Sequence, residues 1–157
     1  MNFLEQLVAE WYTYQGYFVR TNVRIGKRKG GGYEGEMDVV AFEPKTKVLI
    51  HLETSGDAES WEQRKARFQK KFRIATKHYR ATFKFNVKRI EQVAVVGFTK
   101  PRKTTKLGSG IKLLLITELM AQIKTRLAKP DVLQTVIPEG YPLLRAIQFT
   151  LWCDGGK

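Results

Sequence analysis

The sequence is poor in the residues that staple or anchor a chain. Its 157 residues include a single cysteine, Cys153, which excludes an intramolecular disulfide and any zinc centre built on several thiolates. No apolar run approaches the roughly 20 residues needed to cross a bilayer. The N-terminal stretch MNFLEQLVAEW carries two acids and no basic region, so no secretory signal is expected there. Internal repeats, low-complexity tracts and interdomain linkers are also lacking. What remains is 43% apolar residues, enough to bury a core within one domain. The expectation is a soluble, cytoplasmic, single-domain protein spanning 1–157, with a core over about 2–128 and a helical extension over about 130–157.

Acidic residues are scarce. Asp plus Glu number 15 against 28 Lys plus Arg, a net charge of +13. Such an imbalance points to a polyanionic partner, commonly nucleic acid, because lysine and arginine displace condensed counterions from phosphates. The charge is also clustered. Arg64 to Arg89 holds eleven basic residues and no acid, five more lie from Arg20 to Lys29, and five from Lys100 to Lys112. Each cluster alone could be a solvated surface; three in so small a domain favour a nucleic-acid interface. Arg28, Lys29, Arg64, Lys65, Lys71, Arg102 and Lys103 are its candidate contacts.

Residues 2–15 are expected as a helix, with Asn2 and Glu5 at capping-box spacing and Gly16 at the left-handed C-terminal position. Leu4, Leu7, Val8, Trp11 and Tyr14 make its apolar stripe. A strand over 17–25 and a basic, glycine-rich loop follow. That loop, with Gly30, Gly31 and Gly32, lacks the GK[ST] ending of a nucleotide-binding loop and opens no helix; it suits contact with a nucleic-acid backbone. GEMDVVAF (35–42) and VLIHLET (48–54) read as a hairpin turning at Pro44, Lys45 and Thr46. After Gly56 comes a helix with acids early and bases late, ending near 77–80. Strands over 92–98, apolar enough to be covered on both faces, and 111–116 precede helices over 117–127 and 140–152. The order α-β-β-β-α-β-β-α-α implies an α/β fold, a mixed sheet with helices on both faces.

With so few carboxylates, those inside strands are informative. Asp38 interrupts an apolar strand and Glu53 ends the next; the hairpin makes the strands neighbours, so the two side chains can converge. Buried carboxylates need a cation or a basic partner. Glu10, at the margin of the first helix's stripe, is a third candidate, while Glu5 is expected to face solvent. Each acid alone has a structural reading: a boundary helix residue for Glu10, a salt-bridged acid for Asp38, a strand-end residue for Glu53. One divalent cation held by Glu10, Asp38 and Glu53 explains all three together, and hard oxygen ligands favour Mg²⁺ or Mn²⁺. Clustered acids should leave at least one with a raised pKa when no metal is bound.

These residues bring the chain to a known pattern. GEMDVVAF followed by VLIHLET resembles the core of the PD-(D/E)XK nuclease superfamily, the restriction-endonuclease-like fold, and within it the Holliday-junction resolvases. The resemblance implies a mixed central sheet flanked by helices, Mg²⁺- or Mn²⁺-dependent hydrolysis of nucleic acid, DNA above RNA, and a tendency to dimerise, here through the C-terminal helix. It makes Asp38 the motif aspartate, Glu53 the second acid and Glu10 the helix glutamate. The family's lysine, two residues after the second acid, is replaced by Ser55. A lysine from elsewhere could restore the charge, with Lys65 on the following helix the best placed by sequence and Lys47 second. His51, on the same strand face as Glu53 and Ser55, is a candidate base or a satisfied core residue, and Gln63 is a further polar candidate. The competing expectations are a catalytically weak or inactive nucleic-acid-binding module on the same fold, and a protein-interaction domain.

Overall fold

The computed structural model describes residues 1–57, 59–98, 106–108, 110–128 and 134–155. Among them the elements run α1 (Phe3–Tyr14), β1 (Phe18–Lys27), β2 (Tyr33–Glu43), β3 (Val48–Ser55), α2 (Trp61–Thr82), β4 (Arg89–Val96), β5 (Ile111–Leu115), α3 (Ile116–Leu127) and α4 (Pro142–Gly155). The expected order is observed. Helix α1 starts with both halves of the capping box: Asn2 accepts from the Leu4 and Glu5 amides, and Glu5 accepts from Asn2. Its end follows from Gly16, whose φ of +93° only glycine adopts without strain. Leu4, Leu7, Val8 and Trp11 are buried as the periodicity predicts, each stabilising by about 1.5–3 kcal/mol against exposure.

The sheet has the order β1-β2-β3-β4-β5. The first three strands form an antiparallel meander, and β3, β4 and β5 run parallel. A parallel pair needs a crossover, and α2 supplies it between β3 and β4. Helices α1, α3 and α4 cover one face with Val39, Ala41, Ile50, Leu52, Val93 and Val95. Helix α2 covers the other through Phe68, Phe72, Ala75 and Tyr79, against Val40, Leu49, Ala94 and Val96. Strand β4 is therefore sandwiched, as its unbroken apolar run predicts.

The structure departs from expectation in several places. Helix α2 continues to Thr82, because Tyr79 and Phe83 still bury apolar surface at its last turn. Strand β4 starts at Arg89, so the ambiguous stretch 81–90 divides into a helix end, a connection and a strand start. The C-terminal helix is no appendage: Leu144 is fully buried and α4 packs on both α1 and α3. None of the described helices is long and apolar enough to cross a membrane.

Candidate active site

The site lies where β2 leaves β3. Their register sets Val39 opposite Leu52, so one step further Asp38 falls beside Glu53. Beyond that point β2 continues to Tyr33 paired with β1 alone. The Thr54 amide, at the end of this ladder, donates to Asp38 Oδ2 at 2.9 Å, so the carboxylate takes over where backbone pairing stops. Alternation along each strand turns Asp38 and Glu53 toward α2. Glu53 is fully buried and Asp38 nearly so. A groove of about 500 Å³ opens over this fork, walled by Asn2, Glu5, Asp38, Ser55, Asp57 and Lys71 among others.

A lysine does complete the pair, and it is Lys71. Its Nζ lies 2.6 Å from Asp38 Oδ1 and also forms an ion pair with Glu53 Oε2. That glutamate oxygen is buried and has no hydrogen bond of ordinary geometry besides this pairing. Burial, then the neighbouring Asp38, push the Glu53 pKa up to about 9 against the pull of Lys71. Burial draws Lys71 down, but the Glu53 and Asp38 carboxylates outweigh it and its pKa is raised. Of the ion-paired residues, Glu53 is the fully buried one, so in the cation-free site a proton on Glu53 is the direction that burial enforces. The raised acid expected from the sequence is present, with burial rather than repulsion as its main cause.

His51 is a core residue whose bonds lead into this site. Its ring is fully buried, with Nε2 2.6 Å from Glu53 Oε1 and Nδ1 2.7 Å from the Tyr79 hydroxyl. Burial lowers its pKa to about 3, so it stays neutral and does not present a free nitrogen to the groove. Ser55 accepts from Arg67 at 2.8 Å and donates to Asp57 at 3.0 Å; Arg67 also pairs with Asp57 and Glu59. This network holds the residues after β3 against α2.

Several expected site residues lie elsewhere. Glu10 is buried, but its carboxylate accepts from the Leu143 and Leu144 amides at 2.9 and 3.1 Å and from Gln6 at 2.9 Å. It caps the start of α4, where the helix dipole favours an anion. Glu5, five residues earlier and so about 140° away around the helix, lies on the other flank of the stripe and lines the groove instead. Periodicity locates the stripe but not which flank faces the carboxylates. Likewise, at about 100° per residue, Arg64, Arg67 and Lys71 fall on one side of the Phe68–Phe72–Tyr79 stripe, and Lys65 and Gln69 on the other. That second side faces the chain before β5, since Gln69 donates to the Leu107 carbonyl, so Lys65 does not complete the site. Lys47, at φ +58° in the hairpin turn, sits at the opposite end of β3.

Arg64 is buried and donates to the Gly97 and Asp57 carbonyls, a structural role that withdraws it from any surface contact. Gln63 is the N3 residue of the α2 capping box with Ser60. Arg28 and Lys29 are exposed in the turn between β1 and β2, closed by the Arg28 amide on the Gly32 carbonyl at 3.0 Å. Arg102 and Lys103 lie outside the described residues. No three His, Cys, Asp or Glu side chains among the described residues are arranged to hold a metal ion; the three-acid centre built on Glu10 is replaced by two acids and a lysine.

Lys71, the residue at the centre, has a signal in the sequence beyond its charge: it stands one residue before Phe72, on the edge of the buried stripe.

No known family's sequence profile matches the chain, and no curated protein matches it. Among solved structures it is similar to the crystal structure of AF1548, a protein of unknown function, at 17% identity and a TM-score of 0.51, over 87% of this chain and 72% of that one. A likeness at that identity is one of fold alone.

Proposed function

We propose that this protein is a divalent-metal-dependent phosphodiesterase of the PD-(D/E)XK type, a cytoplasmic endonuclease acting on DNA. The observation that carries the reading is the Asp38–Lys71–Glu53 cluster: two strand carboxylates on one face with an ammonium between them. The lysine missing at Ser55 has a counterpart that reaches the same pair from α2. The donor set fits a hard cation: Asp38 Oδ1 and Glu53 Oε2, both now facing Lys71, would hold Mg²⁺ or Mn²⁺. When bound, such an ion polarises a phosphoryl oxygen and lowers the pKa of a coordinated water.

The chain's own residues do the rest. Glu53 must give up the proton that burial favours, so binding the cation is linked to proton release. Lys71, whose ammonium sits between the two carboxylates, would supply positive charge to stabilise the charge that develops on a scissile phosphate. Exposed bases of α2 (Lys70, Arg73, Lys77) and of the first turn (Arg28, Lys29) supply contacts to the phosphate backbone. The exposed Phe149 and Trp152 of α4 support the expectation of a homodimer through that helix.

The test is cleavage of plasmid and branched DNA with Mg²⁺ or Mn²⁺, comparing the protein with Asp38→Ala. Cleavage is expected to be lost in the variant; cleavage that survives removes Asp38 from the mechanism. A second reading, a binding module without activity, draws on the closed Lys71 ion pairs that already neutralise the carboxylates. It predicts salt-sensitive DNA binding and no metal-dependent cleavage by the unsubstituted protein.

A further inference from the structure

We infer that a second pocket, at the end of β3 away from the carboxylates, holds one unpaired nucleotide of a DNA strand, its base on phenylalanine rings and its flanking phosphates on Arg20 and Lys47. The inference rests on the nucleic-acid reading above and deepens it, because it gives the substrate a single-stranded portion.

The pocket follows from strand register. Phe18 on β1 lies opposite Phe42 on β2, which lies opposite Leu49 on β3; Arg20 lies opposite Val40. Directly opposed residues share a sheet face, and Val40, Phe42 and Leu49 belong to the face that packs on α2. Helix α2 ends at Thr82 and leaves this corner of the sheet open. The residues after it close one side. Phe83 is buried, and Phe85 meets Phe42 and Phe83 edge-to-face with centroids 4.7 and 5.9 Å away. The resulting cavity of about 520 Å³ is of the size that holds small ligands, roughly 300–1,000 Å³.

Three features of the lining choose the occupant. Phe18 and Phe85 line the cavity yet stay 68% and 49% exposed. Ring surface left in water forgoes the stabilisation of burial, and it suits a flat aromatic ligand. The charged groups of the lining are Arg20 and Lys47, with no carboxylate among them, so the ligand is an anion. These two cations also come from different strands: Arg20 stands on the edge strand β1 and Lys47 in the turn that leads into β3, with β2 between β1 and β3. A fatty acid has one anionic end to offer them, whereas a nucleotide within a strand has a phosphate on either side of its base. Aromatic stacking flanked by positive charge is how proteins hold single strands without reading their sequence. The pocket lies on the same side of the sheet as Asp38 and Glu53. From Leu49 to Glu53 is a distance of about 13 Å along β3, the axial length of about four stacked nucleotides. A strand anchored here has a phosphodiester to offer the carboxylates a few nucleotides away.

Fluorescence anisotropy tests this on the full-length protein. A short labelled oligothymidylate and a blunt duplex are each titrated in EDTA, so that nothing is cut. The unsubstituted protein is compared with the double variant Phe18→Ala/Phe85→Ala and with Arg20→Gln, all at exposed positions. The double variant should bind the oligothymidylate about 5–150-fold more weakly, the range for losing the stacking of one base, with its duplex affinity unchanged. Arg20→Gln should lower the slope of log affinity against log salt for the single strand by about 0.7. Unchanged single-strand affinity in both variants overturns the pocket, as does an equal loss on strand and duplex in the double variant. Dodecanoate that shifts the Lys47 and Asn86 amide signals in NMR where oligothymidylate does not would also overturn it, by assigning the pocket to an amphipathic carboxylate. A protein that holds the strand in this way but cuts no DNA overturns the nuclease reading and leaves the pocket standing.

Discussion

Replacing Lys71 by methionine is the perturbation that separates this site from its competitors. Methionine keeps the length and the apolar stem but deletes the ammonium that lies 2.6 Å from Asp38 Oδ1 and pairs with Glu53. At about 4 Å and an effective dielectric near 20, one such pairing is worth roughly 4 kcal/mol before desolvation. Breaking a buried pair from one side costs about 3–5 kcal/mol. Lys71 is 31% exposed, so water and salt reduce that figure, and Glu53 relieves more of it by holding its proton. The expected loss is about 1–2 kcal/mol at pH 7 without metal, read by urea titration. Catalysis should suffer more, because the charge acts where the transition state needs it: a fall of about 10²–10³ in kcat, measured by plasmid nicking in Mg²⁺. Lys65→Met, on the other side of α2, should leave both readouts near their starting values. A Lys71→Met protein that nicks DNA at the unsubstituted rate, or a larger defect in Lys65→Met, refutes the assignment.

Glu10→Ala removes the acceptor for two α4 amides; thermal unfolding should register a loss of about 1–3 kcal/mol, with cleavage per folded molecule unchanged, and a selective loss of cleavage would return Glu10 to the site. Metal-free stability should pass through a plateau with pH. His51 titrates at 6.5 unfolded and about 3 folded, so between those values the unfolded chain holds the extra proton and stability rises with pH. Glu53 titrates at 4.5 unfolded and about 9 folded, so there the folded chain holds the extra proton and stability falls with pH. The maximum should lie between about 4.5 and 6.5, with His51→Gln flattening the acid arm and Glu53→Gln the alkaline arm in urea titrations. Reversing Lys70, Arg73 and Lys77 to glutamate should lower the slope of log affinity against log salt by about 0.9 for each phosphate no longer neutralised; an unaltered slope would show that this face of α2 is merely solvated.

The sequence by itself determined what depends on local pattern. Capping residues and apolar periodicity located α1 and the order of elements, and the alternation of β2 and β3 with their short turn brought Asp38 beside Glu53, because antiparallel register follows from turn length. Only the tertiary structure decided what depends on which side of a helix meets which strand. A stripe has two flanks of equal standing in one dimension; packing turned the Lys71 side of α2, and not the Lys65 side, toward the carboxylates. It gave Glu10 to the amides of α4, 133 residues away, and brought Glu5 to the groove. His51 joined Tyr79 for the same reason: hydrogen bonds between residues distant in the chain are set by where elements dock, and no spacing along the sequence records that.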